Sequence, residues 1–163
     1  MKNYRFILFV SFVLLFFTSS VLAITPDWVS DFRFNALYIS RISHGKSYQH
    51  PQPSLRILET KGRGNCVAWS KFMAKIAIKY NVDFDNYIVG RNPDGKKMES
   101  LNHQITILRD NSGQMWLQSN NTISIVKDMK DALEKVVKEV DPDWSLGYRI
   151  ISRVVITDKD LTD

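Results

Sequence analysis

From Leu101 to Gln118 the chain reads as two strands joined by a tight turn, and this constrains the fold most. Leu101, His103, Ile105 and Ile107 alternate with Asn102, Gln104 and Thr106. That spacing predicts a half-buried strand with His103 on its apolar face. Asp110-Asn111-Ser112-Gly113 is a hairpin turn, and Met115 to Gln118 is the return strand. An antiparallel pair must bury its apolar face against something, and the flanking segments supply helices. Thr25-Pro26-Asp27 starts one, with Trp28, Val29, Phe32 and Ala36 as its stripe. Leu55 to Thr60 is a short helical turn or an irregular segment. Another helix starts at about Asn65 and ends near Tyr80-Asn81, where Asn caps it. A third covers Lys127 to Val140, with Met129, Leu133, Val136, Val137 and Val140 in line, and Asp141-Pro142 stops it. Tyr87-Ile88-Val89 is a short strand. Tyr148 to Ile156 is a final strand, with Ile150 and Val154 on one face and Ile151 and Val155 on the other. Residues 43–54 and 91–95 read as a loop and a turn. Trp28, Trp69, Trp116 and Trp144 are expected core anchors. The fold class expected is α+β, with a Cys-bearing helix packed on an antiparallel sheet.

The N-terminus sets the compartment. Lys2 and Arg5 precede an apolar run from Phe6 to Phe17, and Val21 and Ala23 are the small residues that a signal peptidase reads. Residues 1–23 are therefore expected to be a secretory signal peptide, with residues 24–163 as one domain. The apolar run is short for a membrane span, so membrane contact is expected only through an uncleaved signal. A periplasmic or secreted monomer follows. Net charge is +5, falling to +3 once Lys2 and Arg5 leave with the leader. Basic and acidic residues are interspersed, without a basic block, so nucleic-acid binding is not expected. The small positive excess gives a weak preference for anionic envelope surfaces.

Cys66 is the single cysteine, so the chain forms no internal disulfide. Gly62-Arg63-Gly64-Asn65 leads directly into the helical pattern and puts the thiol at a helix N-terminus, where the dipole and unpaired N–H groups favour thiolate. Cys66 also shares a helical face with Trp69, Met73, Ile76 and Tyr80, which suits a core cysteine equally well. A thiolate nucleophile needs a proton acceptor, and His103 at the head of its strand is the candidate. A third polar side chain on the return strand would orient the ring. His44 and His50 lie in the polar loop and read as solvated. Three histidines and one cysteine without close spacing argue against structural zinc.

Three segments together resemble the bacterial transglutaminase-like cysteine proteinases, within the papain and transglutaminase fold group. They are Gly64-Asn65-Cys66-Val67-Ala68-Trp69, then His103-Gln104-Ile105-Thr106-Ile107-Leu108, then Gly113 to Asn120. The resemblance spans about residues 45 to 120. It implies a papain/transglutaminase-like core, with Cys66 as nucleophile and His103 as general base. The orienting residue falls on Gln118 by register, whereas amide chemistry favours Asn120, two positions on. An oxyanion donor would come from Gln49 or His50 and from the backbone N–H of Cys66. The family's acidic residues beside the cysteine are replaced here by Asn65, Val67 and Ala68, so no calcium site, and no other cofactor, is expected. The activity implied is an exported cysteine peptidase cleaving an amide bond in a protein through a Cys66 thioester. The alternatives are a peptidoglycan amidase or endopeptidase, and an inactive binding or inhibitor protein on the same scaffold.

Overall fold

The computed structural model describes residues 25–43, 53–91, 102–143, 145 and 147–162. Gln49, His44, His50, Trp144, residues 1–23 and most of the loop and turn expected at 43–54 and 91–95 lie outside them. The first helix, α1 (Asp27–Ser43), buries Trp28, Val29, Phe32, Ala36 and Ile39, which recur at helical spacing. Ser54 caps α2 (Leu55–Lys61) by accepting from the Ile57 N–H at 3.2 Å. Gly62, at φ 65°, ends it in the left-handed conformation. Two residues on, a Cβ at Gly64 would fall 2.6 Å from Leu58 Cδ1 and 3.0 Å from Ala68 Cβ. Only glycine lets α2 approach α3 (Cys66–Lys79) this closely.

Five antiparallel strands follow: β1 (Asp83–Gly90), β2 (His103–Arg109), β3 (Met115–Ser119), β4 (Thr122–Val126) and β5 (Arg149–Val154). Their spatial order is β4-β3-β2-β1-β5. Helix α4 (Met129–Val140) lies between β4 and β5 in sequence, capped by Asp128, and α5 (Asp158–Thr162) closes the described chain. Lys71 of α3 reaches Asp160 of α5 at 3.4 Å.

The sheet is covered on both faces. Leu108, Trp116 and Ile123 pack with α1, α2 and α3, and Trp28 meets Trp116 edge-on at 5.4 Å between ring centres. Val89, Ile105, Ile107, Leu117 and Val126 pack instead against Ala132, Val136 and Val137 of α4. Asp141, at the end of α4, ties together the neighbouring strands β1 and β5. It accepts two hydrogen bonds of 2.7 Å from Arg91, beyond β1, and one of 3.2 Å from the Tyr148 hydroxyl, ahead of β5.

Several sequence expectations change here. β2 is not half-buried, because α3 covers the face that carries Gln104 and Thr106. β1 begins at Asp83 rather than Tyr87, and its Asn86 is satisfied by the Thr106 hydroxyl at 2.8 Å. β4 and α5 were not expected at all. β5 is an edge strand whose side chains are exposed on both faces, so Ile150 and Ile151 are not core residues.

Candidate functional site

Cys66 is the first residue of α3 and is half-buried. Asn65 sets the helix start. Its Oδ1 accepts from the N–H groups of Val67, at 3.0 Å, and Ala68, at 3.2 Å. Two of the helix-end donors beside the thiol are thereby taken by the cap. Asn65→Ala is expected to cost about 0.5–2 kcal/mol of stability. Equilibrium urea unfolding checks it, and a change within error would mean that the cap adds nothing.

The turn through Asn81, at φ 53°, folds β1 back under α3. A helix of 14 residues spans about 21 Å, close to the length of the strands beneath it. Cys66 therefore lies at the end of the sheet that holds Gly90, His103, Gln104 and Gln118. Which of these face it is decided by register. Val89 is directly opposite His103, and Ile105 is opposite Ser119. Val89 and Ile105 both belong to the α4 side. His103 is on that side too, with its Nε2 at 3.0 Å from Ser119 Oγ. The face under α3 carries Gln104, Thr106 and Leu108 on β2, with Asn86 opposite Thr106 on β1 and Gln118 opposite it on β3.

The expected pair is thus corrected. Cys66 and His103 sit at the same end of the sheet but against opposite faces, because adjacent strand residues point to opposite sides. The β2 residue on the Cys66 side is Gln104, one position along. Gln118 lies on the Cys66 face, away from the ring it was expected to orient, and its Nε2 donates to Asn120 O at 2.6 Å. Asn120 does not continue the strand face, because it turns the chain at φ 47°. Gln49 lies outside the described residues. Sequence reasoning missed Ser119 as the partner of His103. Counting back from a five-residue hairpin loop, Asp110 to Gln114, sets Ser119 opposite Ile105 and so on the His103 face, diagonal to the ring.

His103 is 7% exposed, and burial pushes its imidazole from 6.5 down to about 4. The ring is neutral at pH 7. On the Cys66 side, Asn86, Thr106 and Gln118 are fully buried, as is Ser70 one turn along α3 from Cys66. Gln118 Oε1 and Ser70 Oγ have no hydrogen-bond partner among the described residues. Amides and hydroxyls of this kind donate and accept hydrogen bonds but take no proton near neutral pH.

No protein-family model, curated protein or solved structure matches this chain. The site therefore rests on its own geometry. Among the described residues no group of three or more His, Cys, Asp or Glu is placed to hold a metal ion. No helix among them is long and apolar enough to cross a membrane.

Proposed function

We propose that the chain is an exported, non-catalytic binding protein built on a transglutaminase-like core. The observation that carries this reading is the pairing of Val89 with His103, which sets the imidazole against α4 while Cys66 heads the helix on the other face. A Cys–His hydrolase needs the ring within hydrogen-bond reach of the thiol. The β2 residue on the Cys66 side is Gln104, and an amide cannot shuttle the proton. The scaffold reading is supported by the order of parts: a glycine turn, a capped Cys helix, then an antiparallel hairpin packed beneath it. The leader-like residues 1–23 support export to the periplasm or beyond.

The test is alkylation of Cys66 by iodoacetamide across pH, in wild type and in His103→Gln. The two profiles are expected to superimpose, and neither casein nor peptidoglycan is expected to be degraded in zymograms. Fast alkylation well below neutral pH that the variant abolishes would restore the peptidase reading. Clearing of peptidoglycan that Cys66→Ala removes would restore the wall-hydrolase reading.

A further inference from the structure

The inner side of α1 is fully used by the core, yet its outer side carries three large apolar side chains in one patch. Phe34 is 73% exposed, Leu37 54% and Tyr38 58%. They stand at i, i+3 and i+4, so they are neighbours on the helix surface. Arg41 follows on the same line and Arg33 flanks it, both exposed, and neither has a carboxylate partner among the described residues. The carboxylate of Asp31 is turned away, held by Lys79 at 2.8 Å and Asn35 at 2.7 Å. Asp27, at the helix start, is the one acidic residue on the outer side. Arg33 also reaches a cavity of about 700 Å³ between α1 and β4, walled by Trp116, Ile123 and Ile125, and Ile125 is itself half exposed. The apolar patch thus has a neighbour on the sheet edge.

We propose that this outer face of α1 docks on an anionic lipid surface, with Phe34, Leu37 and Tyr38 entering the headgroup–acyl boundary and Arg33 and Arg41 pairing with headgroup phosphates. An aromatic and leucine patch flanked by arginines is the composition of an interfacial helix. The charge sign matches, because these cations have no carboxylate partner among the described residues and the partner surface is negative. A second copy of the chain is a poorer occupant. Three partly exposed side chains offer at most about 500 Å² a side, below the roughly 800 Å² of a stable interface.

The experiment is co-sedimentation of the mature chain, beginning at Ile24, with phosphatidylcholine vesicles containing or lacking phosphatidylglycerol. Binding is expected to the anionic vesicles and not to the neutral ones. Arg33→Gln/Arg41→Gln is expected to weaken it about 30-fold. Phe34→Ser/Leu37→Ser/Tyr38→Ser is expected to weaken it about tenfold or more. The arginine variant alters no apolar contact and reports independently if the serine variant unfolds. Absence of binding to anionic vesicles, or equal binding by both variants, would overturn the proposal. So would a dimer in light scattering that the serine variant dissociates, since the face would then be a contact between copies.

Discussion

Lowering the pH from 7 to 4 is expected to remove about 3 kcal/mol of folding stability through His103 alone. The folded-state imidazole is pushed down to about 4 by burial, against 6.5 when free. Between those values the unfolded chain binds a proton that the folded chain refuses. Stability therefore rises with pH across this window and levels off above about 7. Urea unfolding midpoints measured from pH 7.5 to about 4 in wild type and His103→Gln would isolate the effect. Gln keeps a hydrogen-bonding group near Ser119 but has no proton to gain. The wild-type slope should largely disappear in the variant, whatever the variant's absolute stability. A flat wild-type profile, or the same slope in both proteins, would show that the ring is not buried as described. Carboxylates enter only at the acid end of this window and are common to both proteins, so the comparison with the variant removes them. Hydrogen bonds hold Asp31 (from Lys79), Asp141 (from Arg91) and Asp160 (from Thr157) below the usual range. Their stabilisation is present above the unfolded carboxylate value near 3.9 and is lost progressively as pH falls from about 5 through their lower folded values. The same burial bears on function, because a ring that resists protonation down to about 4 is a weak acceptor for a thiol proton.

Phe32→Ala is expected to destabilise the protein by about 3–5 kcal/mol. Phe32 is fully buried, with ring centres 6.3 Å from Trp69 and 6.1 Å from Phe72. Those two rings brace each other edge-on at 6.0 Å, so they cannot collapse into the space that Phe32 leaves. The cost is then transfer plus an unrelaxed cavity, at the upper part of the range for a truncated aromatic. Against a typical total of about 5–15 kcal/mol, it brings the fold close to its limit. Equilibrium urea unfolding followed by tryptophan fluorescence gives the number. Hydrogen exchange should show α1 opening first, since Phe32 is one of the side chains that tie it to α3. A loss below about 1 kcal/mol would mean that the α1–α3 contact is looser than this packing.

The candidate site was legible in its parts and not in its assembly. The Cys66 helix start was readable because its cause is local: a glycine turn, an Asn that caps, and apolar residues at helical spacing. The hairpin was readable for the same reason. Asp110 folds back on its own loop, accepting from the N–H groups of Ser112 at 2.9 Å and Gln114 at 3.0 Å, while Gly113 supplies φ 82°. β4 escaped notice because Asn120 enters the left-handed region without being glycine. The apolar residues Ile123, Ile125 and Val126 then break a clean alternation.

The sequence by itself determined the helices of the first half, the hairpin turn and the period of two along β2. A period of two separates His103 from Gln104 but does not say which of them lies under the cysteine. That choice depends on which layer covers which face. Here both faces are covered, by α1–α3 on one side and α4 on the other, so an apolar face no longer identifies the side facing Cys66. Only the tertiary structure, through the pairing of Val89 with His103 and of Ile105 with Ser119, decided that the thiol and the imidazole are kept apart by the sheet.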